Sequence, residues 1–149
     1  MVLKNDRYAK LREWLAANEL GTVLIADGEG DASSQLMRYA KDGAIDVVQY
    51  SARTKGFTFW VETAKQLRQW GRMAAPHNFG SSLANYASCH LAAVIDSFVE
   101  WDFATTDGLL GVEQYAVKAG SVTLPSAPGF GWQLDDEVFR PAVVKGTDQ

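Results

Sequence analysis

The side chains best suited to chemistry in this sequence are Asp27, Glu29, Asp31, His77, Asn78, Glu100 and Asp102. Several carboxylates grouped with one imidazole make a metal-plus-acid/base set if the chain folds them to one place. A hard divalent ion such as Mg²⁺ prefers carboxylate oxygens, which makes Asp27 or Glu29 its natural ligand. A histidine is the natural proton carrier near neutral pH. By type alone, each of these residues also reads as a solvated loop residue. Only its place in the fold separates the two readings.

What must position them is a series of strand ends. Thr22-Val23-Leu24-Ile25-Ala26 is a short apolar run, suited to a buried strand, that leads into Asp27-Gly28-Glu29-Gly30-Asp31. Ile45 to Tyr50 reads as a second strand, and Met73-Ala74-Ala75 leads to Pro76-His77-Asn78 as a third. Ser97 to Asp102 reads as a fourth. Helices precede and separate them. Tyr8, Leu11, Trp14 and Leu15 recur at helical spacing, with Gly21 closing the element, and a second helix runs from about Ala32 to Lys41. Phe57, Trp60, Val61, Ala64 and Leu67 form one stripe, ended by Gly71. Leu83, Tyr86, Ala87, Leu91 and Val94 form another, capped by Ser81 or Ser82.

The strands end in polar residues at Glu29, Ser51, His77 and Glu100. These recur about every 25 residues, the length of one strand and one helix with short connections. Four consecutive βα units imply a parallel sheet with right-handed crossovers, and catalytic groups of such sheets sit at the C-terminal edge. This pattern fits an open doubly wound sheet and half of a closed barrel equally. After Asp102, Thr105-Thr106-Asp107-Gly108 is turn-like. Tyr115–Val117 and Ser121–Leu124 then flank Lys118-Ala119-Gly120 as a hairpin, before an irregular tail set by Pro125, Pro128, Gly129 and Gly131.

The 149 residues, 47% hydrophobic and 21% charged, suffice for one core. A complete (β/α)₈ barrel needs roughly 200 residues or more. A net charge of −4 without a basic run argues against nucleic acid and anionic membranes as partners. No apolar stretch reaches the ~20 residues of a membrane span, and Met1 to Asp6 lacks a signal-peptide layout. Cys89 is the only cysteine, which excludes an intrachain disulfide and leads us to expect a cytoplasmic location. Cys89 and His90 read as packing residues in an alanine-rich helix, as do Trp14, Trp60 and Trp70 in the outer helices. Gly28 and Gly30 do not complete a phosphate loop.

Several segments together are more specific. They are Thr22 to Gly30, Asp46 to Gly56, Ala75-Pro76-His77-Asn78-Phe79-Gly80-Ser81, Val99-Glu100-Trp101, and Pro125-Ser126-Ala127-Pro128-Gly129-Phe130-Gly131. In order and spacing they resemble the mandelate racemase / muconate lactonizing enzyme-like, acid-sugar dehydratase branch of the enolase superfamily. The resemblance runs from the fifth barrel strand to the C-terminus. It implies an α/β fold that is the C-terminal half of a TIM (β/α)₈ barrel, with about four βα units over residues 1–104. A hairpin and tail of the same domain would occupy 105–149.

The resemblance also implies a lyase or racemase that removes the proton next to a carboxylate with the help of Mg²⁺. Glu29 matches a metal ligand, His77 the general acid/base, and Glu100 the residue that hydrogen-bonds the substrate carboxylate as it becomes an enediolate. Ser51, Asn78 and Trp101 become candidate substrate-binding residues, and the substrate a small carboxylate or acid sugar.

Two departures qualify that expectation. Ser51 stands where the family often has an aspartate paired with the histidine, and a hydroxyl cannot stabilise imidazolium as a carboxylate does. His77 is then a weaker base unless another acid helps. One carboxylate also holds Mg²⁺ poorly, so the isolated chain is expected to bind it weakly or not at all. Half a barrel exposes sheet edges that demand cover, so a homo-oligomer or a separate N-terminal half is expected as partner. The alternative is a truncated or degenerate barrel fragment that binds a partner or small acid without turnover. A third reading is an unrelated open α/β binding module.

Overall fold

The computed structural model describes residues 6–30, 34–102, 110–111 and 115–146. Asp31, the turn at 105–108 and the expected boundary at 104/105 lie outside the described residues. Three short parallel strands, β1 (Ala26–Asp27), β2 (Val47–Val48) and β3 (Met73–Ala74), lie side by side in that order. Ala26 is in register with Val47, and Val47 with Met73. Parallel neighbours need a crossover of a dozen residues or more. Helix α2 (Leu36–Lys41) lies in the first crossover and α3 (Ala52–Gln69) in the second. Helix α1 (Asp6–Ala17) precedes β1, and α4 (Ser82–Ile95) follows β3.

The helices begin and turn where local chemistry dictates. The Ser81 hydroxyl accepts from the Ala84 amide at 3.3 Å, satisfying one of the unpaired N–H groups of α4. Gly56 breaks the helical path inside α3, so the predicted stripe from Phe57 belongs to its second, longer part. Trp60, Ala64 and Leu67 lie on one face of that part and are buried. They meet Val48 of β2, Ile25 and Ile45 from the segments leading into β1 and β2, and Leu91 and Ile95 from α4 in one core. The stripe predicted for α1 is only partly buried: Leu15 is, whereas Leu11 and Trp14 are exposed. The helix also ends earlier than Gly21, with Glu19 taking the left-handed turn.

Two expectations change. Among the described residues, Ser97 to Asp102 forms no strand, so the fourth βα unit is not seen. The reason lies on the outer edge of β3 and its continuation. The Ala74 carbonyl accepts from the Ser97 hydroxyl at 2.5 Å, Pro76 has no N–H, and the Asn78 amide donates to the Glu100 carboxylate. Side chains take the places a backbone ladder needs. The tail is also more ordered than its prolines and glycines suggest. Strand β4 (Leu110–Gly111) pairs antiparallel with β7 (Gln133–Leu134), and Asp136–Gly146 forms helix α5, with Pro141 inside it. The expected hairpin is present as β5 (Ala116–Lys118) and β6 (Ser121–Thr123). Its two-residue turn, Ala119-Gly120, has positive φ at both positions, the twist a tight hairpin favours. Among the described residues, no helix is long and apolar enough to cross a membrane.

Gly28 fixes how closely β1 leaves its neighbour. Its φ is +141°, and a Cβ there would stand 2.6 Å from the Gln49 carbonyl carbon and 2.8 Å from the Tyr50 nitrogen. Both obstacles are backbone and cannot swing aside. Gly28→Ala is expected to destabilise the chain by about 2 kcal/mol or more. A urea midpoint within error of the parent's would contradict this.

Candidate functional site

The strands end at a common rim. Beyond them Ser51 and His77 continue as an isolated parallel bridge. The His77 amide donates to the Tyr50 carbonyl at 3.0 Å, and the Ala52 amide donates to the His77 carbonyl at 2.8 Å. Both sides of the His77 peptide are thus anchored. Its side chain is 19% exposed, and its Nδ1 lies 2.7 Å from Glu100 Oε2 and 3.3 Å from Glu29 Oε1. One atom from each of Glu29, His77 and Glu100 falls within a 4.8 Å cluster. Three side chains far apart in sequence converge on one spot.

Glu100 is held twice, because the oxygen facing His77 also accepts from the Asn78 amide at 3.1 Å. With a carboxylate oxygen at hydrogen-bond distance, Nδ1 carries the proton and donates it to Glu100. That tautomer leaves the lone pair on Nε2, where a proton can be taken up.

Ser51 is spent elsewhere: its hydroxyl accepts from the Thr54 amide at 3.4 Å and caps α3. The acid that faces the imidazole is Glu100. Asn78 is 1% exposed, and its Nδ2 donates to Asn85 Oδ1 at 2.5 Å. Asn85 in turn donates to the Asp102 carbonyl at 2.8 Å and accepts from the Asp102 amide at 3.0 Å. The Gly80 amide donates to the Asp102 carboxylate at 2.7 Å. This chain of bonds fixes the segment that carries Glu100. The sequence reading did not single out Asn85. Its sequence signal was weak, because Ser82 and Ser88 share the buried face of α4 with it, but a buried amide must find partners.

Trp101 is turned away from its neighbour Glu100. Its ring meets Tyr86 at 5.6 Å and lines a 440 Å³ cavity with Cys89, Val117 and Val122. Asp27 also lies outside the cluster, since it accepts from the Tyr8 hydroxyl and from the Gly28 amide at 2.6 Å. Burial first, then the Asp27 carboxylate, push the Tyr8 hydroxyl up to about 12. His90 packs among Tyr115 and Phe130, with Nε2 2.7 Å from the Tyr115 oxygen. Cys89 is buried, which pushes its thiol up to about 11 and keeps it protonated.

Over residues 2–138 the chain matches the protein family described as enolase C-terminal domain-like. It is 39% identical to a mandelate racemase/muconate lactonizing protein from Geobacillus sp., complexed with magnesium and tartrate. The TM-score is 0.84 over 93% of this chain and 36% of that one. It is 40% identical to galacturonate dehydratase from Geobacillus sp., complexed with D-galacturonate and 5-keto-4-deoxy-D-galacturonate. There the TM-score is 0.83 over 93% of this chain and 37% of that one. The 3,6-anhydro-D-galactonate cycloisomerase from Zobellia galactanivorans, at 22% identity and TM-score 0.67, covers 90% of this chain and 38% of its own. That likeness shows the fold alone. No curated protein matches the chain. The chain thus spans little more than a third of each of these proteins.

Proposed function

The chain belongs to the enolase C-terminal domain-like family, and from that membership we propose that it carries the acid/base part of a site that removes the proton next to a carboxylate. In this reading the described helices and strands are the C-terminal half of a (β/α)₈ barrel, completed by an N-terminal half or a second copy. The observation that carries the reading is the His77–Glu100 contact of 2.7 Å at the sheet rim. An imidazole oriented through Nδ1 presents Nε2 as a base, and the carboxylate stabilises the imidazolium that forms. Glu100 takes up the task that Ser51 cannot perform.

A Mg²⁺ ion, when bound, supplies Lewis-acid stabilisation of the enediolate dianion. Glu29 fits such an ion as one ligand. It is a carboxylate with a side chain 55% exposed, and Mg²⁺ prefers oxygen donors while keeping several waters.

The substrate class we favour is a hexuronate or related acid sugar, given the 40% identity to galacturonate dehydratase. Removal of the proton on C5 of D-galacturonate, next to the carboxylate, gives an enediolate. Loss of the 4-hydroxyl as water and ketonisation at C5 then yield a 5-keto-4-deoxy acid, balanced in atoms and charge. In this reading His77 takes the C5 proton, and the imidazolium so formed serves as the acid that protonates the departing hydroxide.

The test is deuterium exchange at C5 of D-galacturonate in heavy water with Mg²⁺, followed by NMR on the completed assembly. Exchange or dehydration is expected. Absence of both across a panel of acid sugars would sink the proposal. Glu100→Gln keeps the shape and removes the charge. It is expected to lower kcat about 100-fold while KM stays within about twofold, because Glu100 acts through His77. A rise in KM at constant kcat would instead make Glu100 a substrate-binding group.

A further inference from the structure

We propose that Glu29, His77 and Glu100 also form a binding site for a divalent transition-metal ion of the Zn²⁺ or Co²⁺ type. The inference does not depend on the proton-abstraction reading. It rests on the donor set. His77 Nδ1 sits between two carboxylate oxygens, at 2.7 Å from Glu100 and 3.3 Å from Glu29. An ion held tetrahedrally at about 2.0–2.2 Å from nitrogen and oxygen ligands sets them about 3.3–3.6 Å apart, so the Glu29 separation already matches and the Glu100 one must open by roughly 0.6 Å. All three donors lie within 4.8 Å of one another.

Two of the ligands are preorganised. The parallel bridge to Ser51 fixes His77, and the Asn78 amide fixes the Glu100 oxygen. Glu29, with its side chain 55% exposed, has room to adjust and leaves the outer side of the ion to water. One imidazole with two carboxylates suits zinc-like ions, whereas Mg²⁺ selects oxygen ligands.

The site has a chemical consequence. A nitrogen that binds an ion cannot donate a proton to Glu100, so the bound state takes the tautomer with the proton on Nε2. That tautomer has no base to offer. Zn²⁺ is thus expected to inhibit proton exchange at about one equivalent, with Mg²⁺ unable to relieve it at hundredfold excess.

The test is calorimetric titration of the chain with Zn²⁺ in the absence of substrate, with Co²⁺ absorption as a second readout. One ion per chain is expected, with affinity at least tenfold weaker in His77→Asn and in Glu29→Gln. Circular dichroism establishes that each variant folds. If His77→Asn does not fold, Glu100→Gln, which changes a single side-chain atom, must lose at least tenfold. His90→Asn must bind as the parent does. Unchanged affinity in the folded His77 and Glu100 variants, or displacement of Zn²⁺ by equimolar Mg²⁺, overturns the site. Zn²⁺ binding without any acid-sugar exchange in Mg²⁺ leaves this proposal standing and removes the catalytic one. Exchange without Zn²⁺ binding does the reverse.

Discussion

His77→Asn is expected to lower the rate of α-proton exchange about a thousandfold, some 4 kcal/mol of lost transition-state stabilisation. The amide is too weak a base to take a proton from carbon, and among the described residues of the cluster no second imidazole replaces it. Glu29 and Glu100 are the other groups of the cluster, and carboxylates are poorer bases than an imidazole near neutral pH. Stability should change little. The His77 side chain lies at the rim, outside the buried core of Trp60, Leu67 and Leu91. A shift of the melting midpoint beyond about 5 °C would mark the variant as misfolded and its rate as uninformative. In a folded variant, kcat should fall while KM stays near the parent value, the pattern of a group that acts only in the transition state. Residual exchange above a tenth of the parent rate would remove His77 from the mechanism.

Much of this site was legible before any coordinates, and the reason is the period of the βα repeat. A short apolar run followed by a polar residue marks a strand end, so Glu29, His77 and Glu100 could be assigned to one rim by counting. The sequential order of the three strands does not follow from the period, which a doubly wound sheet shares. What could not be read is how each polar group is spent. Ser51 stood as a candidate substrate-binding residue, but an N-cap uses the same hydroxyl, and the choice depends on the exact path into α3. Trp101 and Glu100 are adjacent, and in extended chain neighbours face opposite sides. Only coordinates say which of them faces the rim. The fourth strand failed for a similar reason. Ser97 and Glu100 replace ladder bonds with side-chain bonds and Pro76 offers no N–H, and hydropathy carries no trace of that substitution.

Asp46→Ala is expected to cost about 3 kcal/mol, because the residue ties three elements together at the end of the sheet opposite the site. Its Oδ2 accepts from the Ile25 amide at 2.9 Å and from Arg12 of α1 at 2.5 Å, while Oδ1 faces Arg72 at 3.4 Å. Truncation leaves a buried amide and two guanidinium groups without their acceptor. Both arginines are about a quarter to a third exposed, so water relieves part of the loss and keeps the figure near the lower end for such pairs. For a chain of this length the loss corresponds to about 10 °C in melting midpoint.

The pH dependence has a definite sign. Burial works to raise the Asp46 carboxyl, but the Ile25 amide, Arg12 and Arg72 together outweigh it and hold the group below the usual value of 3.8. A carboxyl held lower in the folded chain contributes fully above its unfolded value. That contribution fades as the pH falls through the folded one. The gap between parent and Asp46→Ala in urea midpoint should therefore be constant from neutral pH down to about 5 and narrow in stronger acid. Asp42→Asn is the control, since the Arg38–Asp42 pair is more than half exposed and should shift stability by about 0.5 kcal/mol or less. Equal losses in the two variants would mean that Asp46 is one more surface charge and that the register of β1 on β2 is set elsewhere.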